Sequence, residues 1–200
     1  MDKPYFGTYH HTTFKESERM RETAKEMFME AFKRTYDSNA DLQIIDVGCG
    51  LGFLTILTAS YFPRATVTCV DVFTQSSLRE NSRDLLENNL RIAQVLDRVK
   101  IVEADVTESL PPGKFDLAVS NLVLHNLGRK RFVAYRNIHD VLKPGSYFVN
   151  ADGFIKKSLF VDPFRDDMKR ISDIFHVDFV IKPETQGLFF KYILVALKSK

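Results

Sequence analysis

Two hundred residues, 44% hydrophobic and 27% charged, suffice for one globular domain with a sizeable core. The formal charge of +2, from 28 Lys+Arg against 26 Asp+Glu, lacks the basic surplus of a dedicated nucleic-acid binder and favours a small-molecule ligand. No stretch approaches the ~18 apolar residues of a membrane span, and the N-terminus lacks a signal-peptide core. Cys49 and Cys69 sit in no CxxC or Cys/His spacing. No membrane, metal site or disulfide framework is therefore expected, and a cytoplasmic, reducing setting fits.

From Lys15 to Tyr36, apolar residues (Met20, Ala24, Met27, Phe28, Ala31, Phe32, Tyr36) recur at three- and four-residue spacing, which predicts an amphipathic helix. After "DSNA" the text alternates: "LQIIDV" as strand, Phe53 to Tyr61 as helix, "TVTCVD" as strand, and Ser76 to Val95 as a long helix. "VKIVEAD" and "FDLAVS" follow as strands, then a helix from Arg129 to Leu142 stopped by Pro144-Gly145, and "SYFVNAD" as a fifth strand. "DPFRDDMKRISDIF" reads as a helix with Asp162 as N-cap and Pro163 at its first position. "VDFVIKPETQG" and "LFFKYILVALKSK" are two strands with too short a connection for a parallel crossover. Residues 1–40 thus read as a helical cap and 41–200 as an α/β core, in one domain.

The stretch "IIDVGCGLGFLTI" runs a strand into closely spaced glycines and then a helix, which sets backbone N–H groups beside a ligand. A dinucleotide fingerprint G-x-G-x-x-G would put its third glycine at position 53, which is Phe53; Gly48, Gly50 and Gly52 form G-x-G-x-G instead. Asp46 would sit close to a pyrophosphate and repel it, whereas a cationic ligand would be attracted.

With "DVGCGLG", the sequence resembles the class I S-adenosylmethionine-dependent methyltransferases, whose first motif has the same acid-x-G-x-G-x-G form. The resemblance implies a Rossmann-like, doubly wound, seven-stranded, mainly parallel sheet with an antiparallel C-terminal hairpin strand. It implies S-adenosylmethionine as cofactor, S-adenosylhomocysteine as product, and binding by Asp46, Gly48, Cys49, Gly50 and Gly52 of the turn. Asp71, nineteen residues after Gly52, corresponds to the ribose-binding acid, with Val72 and Phe73 lining the adenine. Asp105 of "VEADVTESLP" corresponds to the acid that accepts from the adenine amino group, with Val106 beside it. Asn121 and Leu122 correspond to positions at the methionine end.

The loop after the fourth strand reads "SNLVLHNLG". Methyltransferases of exocyclic base amines carry N-P-P-Y or a close variant there; this chain keeps Asn121 but has Leu122, Val123 and Leu124 in place of the rest. "YFGTYHH" is similar to the tyrosine-rich cap of protein arginine methyltransferases, yet Ser120 to Gly128 contains no acid to hold a guanidinium. An apolar lining with one histidine looks more like the methyltransferases of small molecules. His125 is the candidate general base or acceptor-positioning residue, since an imidazole near ~6.5 can take a proton at neutral pH; simple packing or helix capping is the alternative. Tyr5, Tyr9 and His10 are candidates for a lid that excludes water. Arg129, Lys130 and Arg131 form either a solvated face or a steering patch for an anionic acceptor. Two other functions stay open: a structural or catalytically silent cofactor-binding subunit, and a nicotinamide-dependent oxidoreductase, against which Phe53 and Asp46 both count.

Overall fold

The computed structural model describes residues 3–74, 76–155, 163–183 and 190–200. Helix α1 (Phe14–Thr35) begins at a capping box: the Thr13 hydroxyl accepts from the Glu16 N–H at 3.2 Å, and the Thr13 N–H donates to the Glu16 carboxylate at 2.7 Å. Its Ala24, Met27, Phe28, Ala31 and Phe32 are buried, as the spacing predicts.

Strand β1 (Gln43–Val47), helix α2 (Phe53–Tyr61), strand β2 (Thr66–Asp71), helix α3 (Arg83–Ile92) and strand β3 (Val99–Glu103) follow. Strand β4 (Phe115–Asn121) leads through a 3-10 segment, Leu124–Lys130, into α4 (Arg131–Val141) and β5 (Leu142–Ile155). Helix α5 (Pro163–Ile171) and strands β6 (Phe175–Ile181) and β7 (Phe190–Ser199) complete the chain. The seven strands lie in the order β3-β2-β1-β4-β5-β7-β6. The five strands β1 to β5 are mutually parallel, and β7 is antiparallel to both its neighbours, β5 and β6. This is the Rossmann-like sheet with an antiparallel end that the sequence pattern predicts.

Residues alternate between the two faces, as a period of two requires. Ile44, Leu117 and Val119 face a core with α1, α2 and α3, whereas Ile45, Ala118 and Phe148 face a second core with α4 and α5. Strand order reverses between β1 and β4, so the carboxyl ends of the strands open a crevice there.

Three helices are shorter than expected. The Ser76–Val95 helix begins only at Arg83: Ser82 is its N-cap, accepting from the Leu85 N–H at 3.3 Å. Upstream, Leu78 forms an isolated antiparallel bridge with Tyr9, and Glu80 takes φ +62°, which together hold the segment out of helical geometry. The helix expected from Arg129 breaks at Gly128 (φ 54°, ψ −129°) and starts as α4 at Arg131. Helix α5 ends at Ile171, and Phe175 opens β6 instead. The expected N-cap Asp162 lies outside the described residues.

Candidate cofactor and acceptor site

A cavity of about 650 Å³ opens at the carboxyl ends of β1, β2, β3 and β4, walled on the far side by Phe6, Tyr9, His10, His11 and Thr12. Asp46, near the end of β1, is 1% exposed, and the Thr55 hydroxyl donates to its Oδ2 at 2.6 Å. Its Oδ1 is buried without a hydrogen-bond partner among the described residues. Burial, only partly offset by Thr55, pushes this carboxyl up to about 7, with the nearby Asp71 carboxylate adding to the rise.

The glycine turn is fixed from behind. The Gly48 and Cys49 N–H groups donate to the Val70 carbonyl at 2.7 and 3.1 Å, and the Gly50 N–H donates to Asp71 Oδ2 at 2.9 Å. Gly48 has φ +75°, and a Cβ there would lie 2.3 Å from a methyl of Val123, so this glycine is dictated by the loop after β4. Gly52 is absent from the cavity wall; at φ +87° it caps α2, and a Cβ would lie 2.6 Å from Leu86 of α3. Its absence of a side chain therefore serves helix packing, whereas Asp46, Gly48, Cys49 and Gly50 of the expected turn residues line the cavity. Burial and the adjacent Cys69 push the Cys49 thiol up.

Asp71 closes β2 at the cavity edge. Besides the Gly50 N–H, its carboxylate accepts from the Phe73 N–H at 2.8 Å and the Asn81 amide at 3.0 Å. Val72 lines the cavity, but Phe73 does not: at φ +51° its side chain packs against the core with α2 and α3. Asn81, in the segment expected to be helical, lines the cavity and leaves its carbonyl oxygen buried without a partner among the described residues. Asp105 and Val106 line the cavity beyond β3; Asp105 Oδ1 caps a turn by accepting from the Thr107 N–H and hydroxyl at 2.7 and 2.8 Å.

At the other end, Asn121 and Leu122 line the wall as expected, with Leu122 held at φ +58°. The Asn121 carbonyl accepts from the Tyr192 hydroxyl of β7. His125 also lines the cavity. Its Nδ1 lies 2.5 Å from Asp152 Oδ1, and its backbone N–H donates to Asp152 Oδ2 at 2.9 Å. Asp152, the carboxyl-end acid of β5, is 3% exposed, whereas the His125 side chain remains 28% exposed.

The N-terminal strap is stapled at several points. The Arg21 guanidinium, buried in α1, donates to the Phe6 and Gly7 carbonyls at 2.6 Å and sits 4.8 Å over the Tyr9 ring. The His10 N–H donates to the Ser77 carbonyl at 3.1 Å and the Arg79 N–H to the Thr8 carbonyl at 3.0 Å. Tyr9 and His10 line the cavity; Tyr5 does not, being 40% exposed and stacked on Phe14. Burial pushes the Tyr9 phenol up. Of the three basic residues beside the loop, Arg131 is committed to Asp167 through two 2.7 Å bonds, while Arg129 and Lys130 are exposed. Among the described residues, no cluster of His, Cys, Asp or Glu could hold a metal ion, and no helix is long and apolar enough to cross a membrane.

A parallel sheet with a glycine turn at its switch point, an acid closing β2 and a cavity above both defines a Rossmann-like fold with a candidate ligand site at its switch point. Residues 45–148 match the family described as methyltransferase domain, slightly more than half of the 200 residues, and the chain belongs to that family. The rRNA N(6)-adenosine-methyltransferase metl-5 of Caenorhabditis elegans is 34% identical over 82 residues, 40% of this chain and 36% of that protein. A malonyl-[acyl-carrier protein] O-methyltransferase of Acetivibrio thermocellus is 38% identical over 86 residues, 42% of this chain and 26% of that protein. The chain thus spans roughly a third of the length of the curated relatives it matches. Among solved structures, the geranyl diphosphate C-methyltransferase of Streptomyces coelicolor, in complex with S-adenosyl-L-homocysteine, has a TM-score of 0.69 at 14% identity, covering 100% of this chain and 88% of that one. The [4+2]-cyclase SpnF gives 0.72 at 13% identity over the same shares. At such identities the likeness is one of fold.

Asp71 offers the cavity a charged acceptor already aligned by three N–H donors. Asp71→Ala is expected to weaken binding of an adenosyl ligand by about 1.5–3 kcal/mol. The Gly50 amide would lose its partner in the same variant. Titration calorimetry on the folded variant checks this, and unchanged affinity would exclude Asp71 as a ribose ligand.

Proposed function

We propose that the chain is an S-adenosylmethionine-dependent methyltransferase with a small-molecule acceptor. The observation that carries this reading is the buried, unpartnered Oδ1 of Asp46 on the wall of a cavity with an acid at its other end. A lone buried acceptor of this kind is costly unless a ligand donor meets it, and the ammonium of a methionine moiety supplies one. Asp71 would take the ribose hydroxyls, and Val72, Asp105 and Val106 the adenine. Asp46, Gly48, Cys49, Gly50, Asn121 and Leu122 would hold the methionine end. When bound, S-adenosylmethionine supplies an electrophilic methyl group on a sulfonium. The protein's task is then to align an acceptor in line with that carbon and keep water out. Tyr9 and His10 serve the second purpose as one wall of the cavity, and His125 faces the acceptor side.

A small-molecule acceptor is favoured over a nucleic acid by the residues after β4. Some relatives are named for rRNA, but Leu122-Val123-Leu124 offers no aromatic platform for a base. The two free, buried cysteines, Cys49 and Cys69, suit a reducing cytoplasm. Parallel calorimetric titrations with S-adenosylmethionine, S-adenosylhomocysteine and NAD test the reading. Binding of both adenosyl ligands without NAD is expected; NAD binding alone would point to an oxidoreductase, and binding of none to a structural subunit.

A further inference from the structure

A carboxylate presents about four lone-pair sites, and at Asp71 three of them are taken. The Phe73 N–H and the Asn81 amide donate to Oδ1, and the Gly50 N–H donates to Oδ2. One site is left, on Oδ2, whereas the vicinal diol of an intact ribose brings two hydroxyl donors. The second hydroxyl needs an acceptor of its own, and one stands beside the first. Asn81 is 6% exposed and lines the cavity, and its Oδ1 is buried without a partner among the described residues. Its amide orientation is fixed by its neighbours: Nδ2 donates to Asp71 Oδ1 and to the Thr74 carbonyl, each at 3.0 Å, and a flipped amide would set its oxygen against both acceptors. Oδ1 therefore keeps its lone pairs idle, at a cost that a ligand donor removes.

Distant parts of the chain place this side chain. The Tyr9–Leu78 bridge, the His10 N–H on the Ser77 carbonyl and the Arg79 N–H on the Thr8 carbonyl hold residues 77–79 against the strap, and Ser82 caps α3 only after Asn81 has been turned to the cavity. We infer that Asn81 is a second ribose ligand, so that one hydroxyl donates to Asp71 Oδ2 and its neighbour to Asn81 Oδ1. The site thereby selects an intact vicinal diol. This inference rests on the methyltransferase reading and on Asp71 as its ribose acid. The two contacts differ in strength, because a charged acceptor is worth more than a neutral amide carbonyl. A carboxylate that took both hydroxyls by itself would make their contributions nearly equal.

Calorimetric titration of the full chain with S-adenosylhomocysteine and its 2′-deoxy and 3′-deoxy analogues reads this difference. In the wild type, one analogue is expected to bind about 10- to 100-fold more weakly than the parent ligand and the other about 3- to 10-fold more weakly. In Asn81→Ala the smaller loss alone should change. ¹³C NMR of the Asn81 side-chain carbonyl in the wild type decides the matter even if that variant does not fold. The parent ligand and the weaker-binding analogue should both shift this resonance in the direction of hydrogen-bond acceptance, and the other analogue should not. Equal losses for the two analogues, or a carbonyl resonance indifferent to the parent ligand, overturns the inference and leaves the methyltransferase reading standing. Failure of the wild type to bind S-adenosylhomocysteine at the outset removes that reading, and the inference with it.

Discussion

Asp46→Asn is expected to stabilise the ligand-free protein at pH 8 while weakening S-adenosylmethionine binding roughly 10- to 100-fold, the loss of one charge-assisted hydrogen bond. The two effects have one origin. In the folded protein the Asp46 carboxyl titrates at about 7 because it is buried, against an ordinary value of 3.8. A raised carboxyl contributes stability that is fully present below its unfolded value and is lost as pH rises through its folded value. Between about pH 4 and 7 the wild type therefore loses stability that the asparagine variant keeps, up to roughly 4 kcal/mol by pH 8. Binding runs the other way, because an ammonium prefers the ionised form. Wild-type affinity should fall as pH drops below 7, and the variant should show no such fall. Urea unfolding at pH 5 and pH 8, beside calorimetry at the same two values, measures both. Parallel stability curves for the two proteins would mean that Asp46 is not a strained carboxylate.

Gly48→Ala is expected to destabilise the fold by about 2–5 kcal/mol, combining a left-handed backbone cost with overpacking. At φ +75° the new Cβ would stand 2.3 and 2.7 Å from the two methyls of Val123. Against the 5–15 kcal/mol typical of a domain, that loss is severe. Adding Val123→Ala should recover the packing part and leave the backbone part, so the double mutant should be more stable than Gly48→Ala alone. Chemical denaturation of the wild type and three variants closes the cycle. Strictly additive losses would show that the two loops do not press on each other.

What the sequence disclosed follows from what its patterns physically report. Alternation at period two and apolar runs bounded by turns reflect local burial, so all seven strands and the helix-covered sheet were legible. Strand-end acids were legible for the same reason: Asp71 and Asp105 stand out against apolar neighbours. Asp152 is an acid of the same kind in "SYFVNAD", but its significance lies in His125, twenty-seven residues away, and that contact arises from the β4–β5 register. Asn81 was hidden because the segment before α3 read as helix, while its geometry is set by a bridge from Leu78 to distant Tyr9. Gly52 and Phe73 show the converse limit. Spacing put both in a ligand site, but Leu86 claims the space at Gly52, and the left-handed backbone turns Phe73 into the core. Arg21 is an arginine on an amphipathic helix, and the strap's carbonyls and the Tyr9 ring, remote from it in sequence, give it a reason to be buried.

The placement of β7 between β5 and β6 constrains how the molecule is assembled during synthesis. Strand β6 is made before β7 yet hydrogen-bonds only to it within the sheet, so it waits unattached, with the edge of β5 open, until β7 has emerged. Parallel strands β1 to β5 can associate as they appear; the last closure is long-range in space but late in time. Tyr192 travels with β7, so Asn121 meets its hydroxyl partner only then. The end of the cavity lined by Asn121 is consequently incomplete until β7 pairs, and the interval before β7 arrives is when the exposed β5 edge is most open to mispairing.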